Sequence, residues 1–197
     1  MILVEETQVP EAALPVDALK QHLRLGSGFA EDDVQDAVLA SFLRAAMAAV
    51  EARCSSVLIA RRFVLTVHVW RDGEGQVLPV APVSAIADVT IVDAYGVETV
   101  ISPARYRLQK DSFTPRLRPV GMSLPTIPSG GSAEIRFDAG YGPAFDDVPA
   151  DLRQAVLLLA AHYYEYRDET ALSQGCMPFG VTALLQRYRP VRLGLGA

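Results

Sequence analysis

Apolar residues change their spacing along this chain, and the changes divide it. Between residues 31 and 54, Val34, Val38, Phe42, Ala45, Ala49 and Ala52 recur every three or four positions, with Leu39 and Ala46 beside them. That is the period of a helix with an apolar face. No Pro or Gly interrupts it, and Glu31, Asp32 and Asp33 put negative charge at the end where the helix dipole is positive. Its alanines admit a close helix neighbour. A second long helix is predicted over 151–170. There Leu152, Val156, Leu159 and Tyr163 form a stripe, Ala155, Leu158 and His162 lie beside it, and Arg153, Gln154 and Glu165 fill the polar side. Pro149 suits the first turn. Shorter helices are predicted over 16–24, which Gly26-Ser27-Gly28 breaks, and over 181–188.

Between the long helices the period drops to two. Over 62–70, Phe63, Leu65, Val67 and Val69 point one way while Arg62, Thr66 and His68 point the other, the pattern of a half-exposed strand. After a turn at 72–75, further strands are predicted over 77–80, 85–93, 98–101, 106–110, 116–120 and 133–139, with a Pro/Gly/Ser-rich loop over 124–132. In the 85–93 strand Ala85, Ala87, Val89 and Ile91 alternate, and Tyr95-Gly96 turns the chain into the next. Segregated helices and strands make the fold class α+β, not alternating βαβ. N-terminal and C-terminal helices pack as a small helical bundle, with a β-rich insertion between the two long ones. The parts are a loosely patterned N-terminal arm over 1–15, a first helical part over 16–56, the insertion over 57–142, a second helical part over 143–189 and a tail over 190–197.

Composition narrows the chemistry. Half of the 197 residues are hydrophobic and 21% are charged, which suits a sizeable core and argues against a disordered chain. A net charge of -5 is the wrong sign for a protein whose main task is gripping nucleic acid. Cys54 and Cys176 form no CxxC pair and read as buried thiols in a reducing cytoplasm. The first ten residues lack a cationic secretory start, and no apolar run reaches the ~18 residues of a membrane span. His22, His68 and His162 are isolated, with no HxH or HExxH spacing. There is no GxSxG, and Gly26-Ser27-Gly28 and Gly140-Tyr141-Gly142 lack the residues that complete a dinucleotide or phosphate loop. Asp146, Asp147 and Asp151 lack EF-hand spacing and read as negative charge for the following helix. Catalytic, metal and cofactor residues are therefore expected to be none.

Two groups remain. Tyr163, Tyr164, Tyr166 and Arg167 occupy adjacent turns of one helix and cannot all face one small core. They are either rim packing or a subunit interface, where Tyr and Arg are enriched. Arg187, Arg189 and Arg192, with Leu193 and Leu195, form a basic, leucine-bearing C-terminus. It is either a solvated end or a segment that docks on an acidic partner or touches passing DNA phosphate.

Several short stretches, taken in order, carry a resemblance. Leu19-Lys20-Gln21-His22-Leu23-Arg24 opens a helix, and Ala45 to Glu51 ends the long one with Val50-Glu51. Leu78-Pro79-Val80-Ala81-Pro82-Val83 follows, then the turn Asp93-Ala94-Tyr95-Gly96. Phe137-Asp138-Ala139-Gly140-Tyr141-Gly142 is the most telling, with Val148-Pro149 after it. His162-Tyr163-Tyr164-Glu165-Tyr166-Arg167 and Met177-Pro178-Phe179-Gly180-Val181 through to Arg189 complete the series. Over residues 19–189 the chain resembles the phage head–tail connector (head completion adaptor) family in its longer form with a β insertion, found in phages, prophages and gene transfer agents. Cys54 departs from it, since many members have a Thr-Gly turn there.

The resemblance implies a ring of neighbouring copies, commonly dodecameric, seated on the portal protein and leading to a stopper or tail protein. DNA would pass through the lumen with only transient contact. It implies assembly in the bacterial cytoplasm, a place at the head–tail junction of the particle, a chain end that engages the portal, and no catalysis, cofactor or membrane. A stopper or tail-terminator ring is the nearest alternative. A cytoplasmic small-molecule-binding or enzymatic domain would need a pocket with convergent polar groups.

Overall fold

A computed structural model describes residues 1–24, 33–72, 75–167 and 177–188, with the backbone alone at 33 and 34. The fold is α+β and divides into two compact units. One comprises Met1–Val9 and Ile59–Pro143, the other the described residues of Pro10–Leu58 and Ala144–Ala197.

The second unit is the helical bundle: α1 (Val16–His22), α2 (Asp33–Cys54), α3 (Ala150–Glu165) and α4 (Phe179–Leu185), which continues as a 3₁₀ turn over Gln186–Tyr188. Helix α3 buries Leu152, Ala155, Val156 and Leu159 of the predicted face, together with Ala160 and Ala161, while Tyr163, Leu158 and His162 of that face are half-buried. Leu19 of α1 and Val181 and Leu185 of α4 are fully buried as well.

Helix α2 departs from the expectation. Its buried face is Leu39, Ala40, Leu43, Ala46, Met47, Val50 and Cys54. The predicted stripe is a different one: Val38 is 41% exposed, Ala45 and Ala52 are exposed, and Phe42 and Ala49 are half-buried. Both sets repeat with the period of a helix, so period alone could not choose between them. Side-chain size does, because burying Leu and Met releases far more apolar surface than burying Ala.

The end of α2 is closed by local chemistry. Ser55 adopts a left-handed conformation (φ 52°), and the Ser56 N–H donates to the Glu51 carbonyl at 3.3 Å, the long-range bond of a Schellman cap. The Glu51 carboxylate accepts from the Leu58 N–H at 2.8 Å, fixing the exit of the chain.

The first unit holds a five-stranded antiparallel sheet in the order β1 (Ile2–Glu5), β2 (Arg61–Val67), β8 (Ser132–Ala139), β4 (Val83–Val92), β5 (Glu98–Val100). A three-stranded sheet has the order β3 (Gln76–Val77), β7 (Arg116–Pro119), β6 (Tyr106–Gln109). Strand β8 alternates without fault: Ala133, Ile135, Phe137 and Ala139 are buried, while Glu134, Arg136 and Asp138 face the other side. Phe63, Leu65 and Val67 of β2 share the buried face, and the Phe63 ring stacks on Phe137 with centroids 5.8 Å apart.

Three expectations change here. Strand β2 ends at Val67, and Val69 is 72% exposed. The arm over 1–15 is not patternless throughout, since Ile2–Glu5 forms an edge strand whose Leu3 pairs Leu65. In β4, Ala85 and Ala87 are exposed because register shifts lie between Val83 and Ala85 and between Ile86 and Asp88. Each adds a residue, as a β-bulge does, so the residues opposite the buried Ala139, Phe137, Ile135 and Ala133 are Val83, Ile86, Val89 and Ile91. Two spacings of three, from Val83 to Ile86 and from Ile86 to Val89, hide that face from an alternation test.

The stretch from Phe137 to Gly142 closes the unit. Gly140 has φ +133° and donates its N–H to the Pro82 carbonyl at 2.9 Å. A Cβ there would lie 2.4 Å from the Ala60 Cα, so no larger residue fits.

Candidate assembly surfaces

The four residues Tyr163, Tyr164, Tyr166 and Arg167 divide between two sides of α3. Tyr164 packs edge-on against Phe42 of α2, with centroids 6.2 Å apart and planes at 89°. Its hydroxyl accepts from Gln35 Nε2 at 3.3 Å. The Arg167 guanidinium covers the Tyr164 ring at 4.8 Å and donates to the Tyr164 carbonyl at 3.1 Å. This stack borders the exposed stripe of α2, so Val38, Phe42, Ala45 and Ala49 continue into Tyr164 and Arg167 as one surface. Tyr166, 41% exposed, lies on the His162 ring at 4.6 Å instead. Tyr163 is half-buried, and burial raises its phenol above the usual range.

His22, His162 and Glu165 line a hollow of about 270 Å³ with Leu158, Ala161 and Val181. It is mostly apolar, and beside it Phe179 is 88% exposed. Among the described residues no group of three or more His, Cys, Asp or Glu is placed to hold a metal. No described helix is long and apolar enough to cross a membrane.

At the other end of α3 the chain is tied to its own C-terminal turn. Arg187 Nε lies 3.0 Å from Asp151 Oδ2. Arg187 Nη2 donates to the Tyr188 hydroxyl at 2.6 Å, and that hydroxyl donates to Asp151 Oδ1 at 2.8 Å. Burial, then the bond to Asp151, pushes the Tyr188 phenol up to about 12. Arg187 is thus tied to the surface of the bundle, its side chain still 70% exposed. Arg189, Arg192, Leu193 and Leu195, the rest of the predicted docking segment, lie outside the described residues, as does Cys176. Nearby, Asp146 pairs with Arg153 at 2.6 Å and Asp147 accepts from the Ala144 N–H at 2.9 Å, so these acids serve the entry to α3.

In the β unit the polar face of the large sheet is an ion-pair lattice. Arg62 meets Asp138 through two bonds of 2.8 and 3.0 Å. Arg136 reaches Asp88 at 3.2 Å, Glu134 at 3.0 Å and Glu6 at 3.5 Å. Asp138 and Asp88 in turn raise the pKa of Arg62 and Arg136, first through hydrogen bonds. Alternating signs leave no continuous basic track across this face. Both outer strands carry exposed apolar side chains, which sequence reading missed: Ile2 (57%) and Val4 (54%) on β1, and Val100 (68%) on β5. Their signal was apolar residues at alternate positions in short segments, too few for a period.

No family profile matches the chain, and no curated protein does. Solved structures do match, over 100% of this chain and 99% of theirs. A chain in the neck of an empty gene transfer agent particle, computed with C6 symmetry, is 49% identical with a TM-score of 0.90. One in the virion of a native gene transfer agent particle is 48% identical with a TM-score of 0.88. One in the neck of a native particle, computed with C12 symmetry, is 46% identical with a TM-score of 0.86.

Proposed function

Since the chain belongs to the family of these gene transfer agent neck proteins, we propose that it is the head–tail adaptor of such a particle, a ring between portal and tail with DNA passing through its lumen. Identity near one half along the whole length of a neck protein carries this reading. The role is structural, a component of the particle and not a catalyst.

Symmetric relatives support the ring, and α2 supports it at the level of residues. Val38, Phe42, Ala45, Ala49 and Ala52 follow a four-three-four-three spacing, the seam of a helix that packs against another. Tyr164 of α3 meets it at Phe42, and no described helix of this chain covers Val38, Ala45 and Ala52. A neighbouring copy does so in the proposed ring, with Tyr164 and Arg167 at the seam and Tyr163 and Tyr166 flanking it, and twelve copies close the circle. A closed ring needs a head-to-tail interface between unlike surfaces. The paired charges of the sheet and the net charge of -5 suit a lumen that DNA must slide through without sticking. The helical bundle favours an adaptor over a mostly β stopper.

The C-terminal segment is the proposed portal contact. Asp151 and Tyr188 hold Arg187 at its root, and Arg189, Arg192, Leu193 and Leu195 beyond it supply arginines for portal carboxylates and leucines for small pockets. Each tail binds weakly, and a ring of them binds strongly through avidity. Deleting residues 190–197 is expected to leave a folded protein that no longer attaches to filled heads. Undiminished attachment would sink the tail's role. Reconstruction of the neck tests the wider reading: this chain should form the ring next to the portal. A position farther down the neck would make it a stopper or tail terminator.

A further inference from the structure

Building on the reading that DNA passes through the ring, we infer that the outer face of the three-stranded sheet is where each copy touches that DNA, through its phosphates. In β6 and β7, Tyr106 pairs Pro119, Arg107 pairs Arg118, Leu108 pairs Leu117 and Gln109 pairs Arg116. Directly paired residues share a face, and successive residues alternate between faces. Tyr106 and Leu117 are buried, with Leu108 and Pro119 half-buried beside them. The other face is therefore Arg107, Gln109, Arg116 and Arg118, of which the first two are exposed and the last two half-buried. Arg105 and Lys110, both exposed, flank it at the two ends of β6.

Two features set this face apart. First, Arg107 and Arg118 stand directly opposite each other, and like charges so placed destabilise a sheet by themselves. Neither strand holds a carboxylate. From 103 to 120 the chain has Arg105, Arg107, Lys110, Arg116 and Arg118 against Asp111 alone, although its net charge is -5. Asp111 serves its own turn, accepting from the N–H groups of Phe113 at 2.8 Å and Thr114 at 2.7 Å. Asp72 reaches Arg116 at 3.4 Å, and Gln109 accepts from Arg118 Nε at 2.7 Å, which leaves a positive surplus. The large sheet treats its arginines differently, setting carboxylates beside both Arg62 and Arg136. Second, the face lacks what a protein partner needs. Protein interfaces have an apolar centre depleted of charge. Here the apolar members are Val77, half-buried opposite Arg116, and Val120 at one end, while Phe113 lies in the turn beyond the strands. Phosphates need no such centre. Guanidinium groups offer them charge and paired donors, and such contacts carry no sequence information. Binding of that kind lets a protein slide along a duplex, and the acidic remainder of the chain keeps the contact local.

Two measurements test this. In the first, the purified full chain is titrated with mixed-sequence duplex DNA over a range of low salt concentrations. Affinity should fall steeply as salt rises, and Arg107→Gln combined with Arg118→Gln should reduce the slope of log affinity against log salt by about two. Arg107→Lys with Arg118→Lys should keep the slope, and the melting temperature of each variant checks the fold. No salt-sensitive binding by the unsubstituted chain, or a slope that the glutamines leave unchanged, overturns the inference. The second measurement uses DNA-filled particles. Arg107→p-benzoylphenylalanine puts a photoreactive group on the basic face. Ala85→p-benzoylphenylalanine puts one on the polar face of the large sheet, where Ala85 is exposed opposite Asp138. Irradiation is expected to link the first variant to DNA, in a product that nuclease shortens, and not the second. Capture of a particle protein or of another copy at position 107 makes the face a protein interface and overturns the inference. Equal DNA capture from both positions, or none from either, overturns it as well, and the ring reading survives all of these outcomes. A neck reconstruction in which this chain forms no ring around the DNA path removes the reading on which the inference rests.

Discussion

The two long helices of the bundle are both periodic, yet they use their periodicity differently. Helix α3 buries most of its apolar stripe, Leu152, Val156 and Leu159, with Gln154 exposed on the other side. Helix α2 has two, and buries only the one with the larger side chains. A single chain needs one apolar face per helix to build a core. A second, left at the surface over four turns, is a cost to a solitary protein and an asset to a subunit. In the proposed ring, the difference separates what holds the chain together from what would join copies.

Substitutions on the two faces of α2 should break that comparison most sharply. Leu43→Ala removes a fully buried side chain and is expected to cost about 2–5 kcal/mol of stability. Ala45→Glu, at an exposed position on the outer stripe, should leave stability within about 0.5 kcal/mol while excluding the protein from the neck. Chemical denaturation of the isolated chain reads the first effect, and the copy number in purified particles reads the second. If Ala45→Glu unfolds the chain, or enters the neck at full copy number, the outer stripe has been misassigned.

This contrast also explains what could be read in advance. The stripe of α3, the alternation of β8 and the α+β order were legible because one periodicity accounts for each. On α2 two sets of residues satisfy the same spacing, and the expected stripe is the set from Val34 through Val38 to Ala52, with Leu39 and Ala46 only beside it. Weighing volume as well as period would have reversed the choice. In β4 the bulges break the alternation after Val83 and Ile86, which a period-two test cannot see. The joining of Asp151, Arg187 and Tyr188 depends on the bundle bringing residues 36 and 37 positions apart together, and no local pattern encodes that. The motif around Gly140 was visible as a string, while its reason, the close approach of Ala60, needed the fold.

A smaller effect sharpens the comparison at the first turn of α3, which side chains tie to the end of the bundle. Tyr188→Phe removes the bond to Asp151 and the one from Arg187, and should cost about 1 kcal/mol. The tie also has a pH signature. The folded phenol titrates at about 12, above the ~10 of an unfolded tyrosine. Through that window the unfolded chain loses the proton while the folded one keeps it. The contribution of Tyr188 is therefore complete below about pH 10 and is lost as pH rises towards 12. Denaturation midpoints measured between pH 9 and 12 should fall less steeply for Tyr188→Phe than for the unsubstituted chain. Parallel slopes would mean that Tyr188 ionises as freely folded as unfolded.

The smallest effect lies at the last turn of α2, held by backbone conformation more than by side chains. Ser55 sits at φ 52°, in a left-handed region where a Cβ crowds the backbone and glycine does not. The Ser56 N–H still reaches the Glu51 carbonyl at 3.3 Å, so the cap forms despite the residue. Ser55→Gly relieves the crowding, and the extra freedom of glycine in the unfolded chain offsets part of the gain. The expected net is a stabilisation of about 0.5 kcal/mol. The change should leave the outer stripe of α2 untouched and particle incorporation unaltered. A destabilised Ser55→Gly chain would mean that the serine side chain holds the turn through a contact worth more than the strain it carries. The end of α2 would then be fixed by a side chain, as the first turn of α3 is.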